Sequence, residues 1–266
     1  MSSLTRMLFA LLAASAASSA LADTNWVGSA DYSQAPSGAS VGEVVAPFDT
    51  YDFARGAVLL EPEPNGGADP VVYNGWFQSY VTNHQFGGTL ATAVGLNRDY
   101  ELTIAGSFRE ELSSLQPGLF TLTGGSVTLY FDNAVDRSFA ADTGFDDGDA
   151  LITGTIVGGS GALFDIGGRG VGFTDLSIRI DTVDANVFAP ATIKSGTSIF
   201  TLRLNDATDE TFLSGVDSVL GHAYDAGDVR LAADGYLALQ VPEPGQYAML
   251  LAGLGAIGMI RRRRLG

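Results

Sequence analysis

The chain has no cysteine among its 266 residues. Disulfide staples, thiol nucleophiles, zinc–thiolate sites and thiol redox chemistry are therefore excluded, and export to an oxidising compartment would add no covalent support. Histidine is nearly as scarce, with only His84 and His222. His84 follows Val81-Thr82-Asn83 at a strand end and His222 follows Gly221, so both read as surface or loop histidines rather than general bases. Positive charge is also in short supply. Residues 23–240 hold 29 acidic and 9 basic residues, a formal charge of −20 against −16 for the whole chain, because four arginines lie near the C-terminus. A surface of that sign repels phosphate backbones and anionic lipid, which argues against nucleic acid as a partner. It attracts divalent cations or cationic partners, although solubility alone would also account for it.

Glycine is plentiful, with 34 residues, and a period-two apolar pattern runs between the glycines. Leu102 and Ile104 alternate with Glu101 and Thr103. Val127, Leu129 and Phe131 alternate with Thr128 and Tyr130, Leu176, Ile178 and Ile180 with Ser177 and Arg179, and Phe200, Leu202 and Leu204 with Thr201 and Arg203. Successive side chains of a strand point to opposite faces, so these runs predict antiparallel sheets with one wet and one buried face. Gly124-Gly125, Asn97-Arg98-Asp99 and Gly158-Gly159-Ser160-Gly161 read as the turns between them, and Gly167, Gly168, Gly170 and Gly172 as a bulge or tight turn. The expectation is one all-β domain over residues 23–240, an antiparallel β-sandwich of jelly-roll type, long enough to hold one core. Tyr73, Trp76, Phe77 and Tyr80 read as a strand with its apolar face inward, although such rings can also stack on sugars. One helix is expected where Phe212, Leu213, Val216, Val219 and Leu220 recur at three and four residues. The loop from Glu61 to Pro70, with Pro62-Glu63-Pro64 before Asn65-Gly66-Gly67, reads as a mobile insertion.

Both ends depart from this pattern. Arg6 precedes an apolar run from Met7 to Ala17, and Ala20-Leu21-Ala22 gives the small-x-small pattern that signal peptidase cuts, so residues 1–22 are expected to be a secretory signal peptide. Residues 241–266 carry Pro242-Glu243-Pro244, an uncharged run from Tyr247 to Ile260, and then Arg261, Arg262, Arg263 and Arg264. The prolines hold an extended, exposed segment of the kind a processing enzyme binds. The run is 14 residues, about 21 Å as a helix. That is short against a hydrocarbon core of about 30 Å, but arginines can snorkel to the interface and would stay on the cytoplasmic side. One short transmembrane helix is expected there. The tripeptide alone carries little weight, since Pro62-Glu63-Pro64 repeats it without the apolar run or the basic cluster.

This three-part order resembles a PEP-CTERM sorting signal. The resemblance implies a membrane exosortase that cuts near Pro242-Glu243-Pro244 and supplies its own catalytic residues, with this chain as substrate. Export across the inner membrane, a transient inner-membrane anchor and delivery to the surface or extracellular matrix of a Gram-negative bacterium follow from it. Within the domain, Gly87-Gly88-Thr89-Leu90, the run from Tyr100 to Phe108, and the run from Phe120 to Asp132 with its Thr123-Gly124-Gly125 resemble the flocculation-associated PEP-CTERM proteins, as do the acidic loop from Asp142 to Asp149 and the Gly159-Ser160-Gly161 turn. That resemblance implies a structural or adhesive component of exopolysaccharide-associated aggregates, in flocs or biofilm.

The residues favour a non-enzymatic reading. Gly158-Gly159-Ser160-Gly161-Ala162 lacks the final glycine and the following helix of a nucleophile elbow. The glycines from Gly167 to Gly172 fit no dinucleotide fingerprint and lie in no βαβ unit. Glycoside hydrolysis needs only two carboxylates, and none of the 29 stands out as a pair, so a glycan-active hydrolase or lyase is the lesser alternative. A calcium-assisted glycan-binding module is the other. Asp142, Asp146, Asp147 and Asp149 crowd one loop, and hard cations take several oxygen ligands. Counted from Asp142, the sixth position is Asp147 where an EF-hand needs glycine, and the twelfth is Thr153 where it needs glutamate. No cofactor is expected unless calcium binds in a site of another kind.

Overall fold

The computed structural model describes residues 24–64, 69–193, 197–204 and 207–241. Residues Asn25–Gln240 form one compact unit; outside it only Thr24 and Val241 are described. The expected signal peptide with Ala20 and Ala22, and the expected tail with Pro242, Glu243, Pro244, its helix and Arg261 to Arg264, lie outside the described residues. Among the described residues no helix is long and apolar enough to cross a membrane.

The strands run in chain order β1 (Thr24–Asn25), β2 (Gly28–Asp31), β3 (Val44–Phe48), β4 (Thr50–Pro62), β5 (Val71–Phe86), β6 (Thr89–Ala91), β7 (Glu101–Leu112), β8 (Leu119–Asp132), β9 (Asp149–Asp165), β10 (Gly170–Val183), β11 (Phe188–Ala189), β12 (Thr197–Leu204), β13 (Ser218–Val219), β14 (His222–Ala223), β15 (Val229–Ala238) and β16 (Gln240–Val241). Eight of them make one antiparallel sheet in the order β4, β5, β7, β8, β9, β10, β12, β15, and β15 pairs back onto β4. The sheet is therefore an up-and-down barrel, with β6 as a short addition beside β5.

The all-β expectation holds, but the two-layer sandwich does not appear. Alternation along a strand encodes a wet and a dry face, which barrels and sandwiches share; the difference is the pairing of first strand with last, and no local pattern carries it. The glycines explain a second departure. Gly158-Gly159-Ser160-Gly161 is not a turn but lies inside β9, which runs unbroken for 17 residues. A Cβ on Gly161 would stand 2.3 Å from the Phe120 ring, so glycine makes room for that ring inside the sheet. Gly124-Gly125 likewise lies within β8, where Gly125 has φ 146° opposite Phe108 and Gly124, opposite Arg109, borders the register shift between Arg109 and Glu110. The Gly167-Gly168 pair does form the β9–β10 turn.

At the end where β4 begins, the barrel is filled. The small sheet of β11, β2 and β3 brings Trp26, Phe48 and Phe188 together, with Trp26 at 5.3 Å from Phe48 and 6.2 Å from Phe188. Tyr32, in the turn after β2, stacks on Phe131 at 5.9 Å, and its hydroxyl meets those of Tyr51 and the His84 ring. All of these side chains are buried. At the opposite end the interior side chains leave a chamber of about 200 Å3.

The expected helix at residues 212–220 is only one turn, α1 (Glu210–Leu213), capped by the Asp209 carboxylate accepting from the Thr211 amide. Ser214 and Gly215 end it, and β13 and β14 follow as a hairpin. The three-and-four spacing arose differently. Val216 and Val219 pack on Ala57 and Leu59 of the barrel's outer face, flanked by Phe212, Leu220, Trp76 and Phe139.

Candidate functional site

The outer wall over β5, β7 and β8 carries the features that could meet a large partner. Gly124, where a Cβ would meet nothing within 4 Å, leaves this stretch of the outer sheet bare, and an open groove of about 690 Å3 lies there, which the backbones of Gly75 and Gly125 also line. Asn74, Trp76, Ser107, Arg109 and Thr123 stand around it. Strand alternation puts Tyr73 and Phe77 on the inner face and Trp76 on the outer, so the four aromatic residues of this strand do not share one inward face as expected. Trp76 is stacked by His222 at 3.7 Å, and His222 Nδ1 lies 3.5 Å from a Glu61 carboxylate oxygen. Arg109 is held by Glu63 at 3.1 Å and Glu111 at 2.9 Å. The Arg109 guanidinium holds the Glu63 carboxyl below its ordinary value. Amide, hydroxyl, guanidinium and indole along a shallow trough are groups that hydrogen-bond and stack on polyhydroxylated ligands.

Below the groove, the segment between β8 and β9 folds back over the wall. Arg137 donates to Glu101 and lies 3.5 Å above the Tyr80 ring, and the Thr103 hydroxyl donates to the Phe145 carbonyl at 2.8 Å. Glu101 and Thr103, expected on the wet face, are thereby buried. Burial raises the Glu101 carboxyl, with Arg137 opposing it. Phe139 packs at 4.7 Å from Phe145 and 5.1 Å from Phe212.

This fold-back redistributes the four aspartates expected as one cation cluster. Asp142 is taken up by structure, its carboxylate accepting from the Leu220 and Gly221 amides at 3.0 and 2.8 Å. Asp149 accepts from the amide and hydroxyl of Ser37 at 2.7 and 2.6 Å. Asp146 is exposed. Asp147 joins Asp132 and Asp136, with one carboxylate oxygen from each lying within 4.8 Å of the others. Calcium–oxygen bonds of about 2.4 Å put opposite ligands about 5 Å apart, so the spacing suits a hard cation, with the rest of its six to eight ligands coming from elsewhere. Asp132 and Asp136 carry no local signal of a shared site, since one ends β8 and the other precedes the aspartate-rich stretch.

The histidines are not equivalent. His84 is no surface residue: it is fully buried against Tyr32, Tyr51 and Phe48, and burial drives its pKa down to about 3. A ring so reluctant to protonate at neutral pH is a packing and hydrogen-bonding element. His222 is half-exposed in the stack on Trp76. Ser160 is exposed along β9, not poised on a strand-to-helix turn.

Comparison with protein families finds one match, the PEP-CTERM protein-sorting motif at residues 240–264. That motif indicates an exported protein sorted and processed by an exosortase, with a transiently membrane-associated C-terminal sorting region. No curated protein and no solved structure matches the chain.

Proposed function

We infer that this exosortase-sorted chain delivers its acidic barrel to the cell surface or extracellular matrix, where it serves as a non-enzymatic structural or adhesive component of exopolysaccharide-associated aggregates. The sorting motif at residues 240–264 carries the reading, because it makes the barrel cargo rather than a resident of the cytoplasm. Support for a glycan partner comes from the groove lined by Asn74, Trp76, Ser107, Arg109 and Thr123. Sugar rings stack on aromatic faces while amide and guanidinium groups take their hydroxyls, and a long polymer accumulates many weak contacts into firm attachment. The flocculation-associated subtype belongs to the same reading.

Deleting residues 242–266 should leave the barrel unprocessed, and cells carrying that deletion should aggregate less. Mass spectrometry of the secreted protein should show a C-terminus lacking Arg261 to Arg264; an intact arginine cluster in secreted material would contradict processing. Co-sedimentation with the producing strain's exopolysaccharide should weaken several-fold in Trp76→Ala and Arg109→Ala, and unchanged aggregation in a gene deletion would sink the adhesive role.

A divalent-bridged form of this attachment has a specific place in Asp132, Asp136 and Asp147. Calcium should then raise the melting temperature of the wild type and not of Asp136→Asn. No heat in a calcium titration would remove the bridge and leave the direct groove contact standing.

A further inference from the structure

At the end where β4, β7 and β9 finish, the chamber of about 200 Å3 has a largely apolar wall, contributed by Val58, Leu60, Phe120, Leu122, Leu163 and Leu202 among others. Three polar side chains interrupt it: Glu110, Tyr73 and Thr174. Glu110 and Tyr73 are direct partners across the β5–β7 pairing, and Thr174 comes from β10. Glu110 is 6% exposed, and among the described residues no cation or hydrogen-bond donor meets its carboxylate. Burial alone pushes its pKa up to about 7. Its neighbours in sequence cannot help, since Arg109 and Glu111 engage each other on the outer face.

A lone carboxyl in an apolar wall opposes folding. Its flanking inward residues are Phe108 and Leu112, so a leucine at 110 would continue the wall without that cost. The chamber also has the size of a ligand site. An apolar cavity of about 150 Å3 takes up benzene, and eight-stranded barrels hold one small ligand inside. The surroundings of this end are apolar. Gly118, which lines the chamber, lies against the Phe164 ring, and Leu115, Leu119, Phe164 and Ile166 are exposed near it.

We propose that the chamber binds a small apolar amine, its hydrocarbon of about six to eight carbons filling the wall and its ammonium group donating to the Glu110 carboxylate, with the Tyr73 and Thr174 oxygens as further acceptors. Three features select a cation over a neutral or anionic compound. The only ionisable acid or base in the lining is a carboxyl that lacks a counter-charge among the described residues, apart from the phenol of Tyr73. An ammonium group has three donors, and the wall offers three acceptors. The domain's charge of −20 concentrates cations around it.

No other titratable side chain faces Glu110 from the lining parts of β4, β8, β9, β10, β12 or β15. Ammonium binding needs the ionised carboxylate, which is in the minority below pH 7 in the free protein. Affinity for an amine should therefore fall about a hundredfold from pH 8 to pH 5.

Calorimetric titration of the full chain with hexylamine, hexanol and hexanoate at pH 8 and pH 5 tests this. Hexylamine should bind tightest at pH 8, hexanoate weakest, and only the amine should show the steep pH dependence. Glu110→Gln should weaken hexylamine at least tenfold and abolish its pH dependence while sparing hexanol. Leu122→Trp, which fills the chamber, should abolish binding of both. Absence of hexylamine binding, equal binding of hexylamine and hexanoate, or undiminished amine binding in folded Glu110→Gln would each overturn the proposal.

Discussion

At one end of the barrel, Trp26, Tyr32 and Phe48 arrive from the chain before β4 and fill the interior against Tyr51, His84 and Phe131; at the other, the loops after β7 and β9 leave Leu115 and Ile166 in solvent and the interior hollow. The same eight strands make both ends. What differs is what the non-barrel chain donates, so stability and binding capacity are divided along the barrel axis. Beside the tyrosines Tyr32, Tyr51 and Tyr100, raised by burial, the filled end holds His84 and the hollow end holds Glu110, and the displacements of these two work against each other with pH. Burial at the filled end lowers the pKa of His84 to about 3, and burial at the hollow end raises that of Glu110 to about 7.

The contrast can be broken most forcefully with acid. His84 has an ordinary pKa of 6.5 and a folded value of about 3. The unfolded chain thus binds the proton first, and the stability this ring contributes is present above pH 6.5 and lost as pH falls toward 3. The loss should approach about 5 kcal/mol, read as a fall in the urea midpoint at constant m, and His84→Gln should flatten that slope. Removing the filling directly comes next. Tyr32→Ala should cost about 4 kcal/mol at pH 7, while Leu202→Ala beside the chamber should cost about 2 kcal/mol, since its neighbours already face a void. Equal losses would erase the distinction between the ends.

Glu110 has the opposite sign. Its folded pKa of about 7 lies above the ordinary 4.5, so its penalty is absent below pH 4.5, grows as pH rises to 7 and is constant beyond. Glu110→Gln should therefore stabilise the protein by about 3 kcal/mol at pH 8 and not at pH 4. A smaller effect comes from filling rather than emptying. Gly161→Val would drive Phe120 from its seat toward the chamber and cost about 2 kcal/mol in thermal unfolding, with a parallel loss of hexylamine capacity.

The strands were legible because alternation is local: the runs at Leu102, Val127, Leu176 and Phe200 all lie in barrel strands. Closure was not, because the β4–β15 pairing joins residues far apart in sequence. Glycines misled where their role was tertiary. Gly161 yields to Phe120 across the sheet, and nothing in its own neighbourhood distinguishes that from a turn. Glu101 and Thr103 looked wet because the covering segment, with Arg137 and Phe145, lies more than thirty residues away. Of the aspartates, only Asp147 stands in the acidic group with Asp132 and Asp136; Asp142 and Asp149 secure backbone instead. Glu110 was legible in principle, as an inward position between Phe108 and Leu112, but the charged run Arg109-Glu110-Glu111 disguises it as surface.

The barrel's seam has a consequence for its birth. Every other neighbouring pair in the ring links strands consecutive along the meander, but the closing one aligns residues 50–60 with 229–238, the last strand before the sorting motif. A chain emerging from its N-terminus can zip hairpin after hairpin and still present two raw edges, on β4 and β12, until β15 arrives. Prematurely terminated chains would keep those edges and stick to one another. Completion of the ring and exposure of the residues that address it are thus nearly the same moment in the life of the molecule.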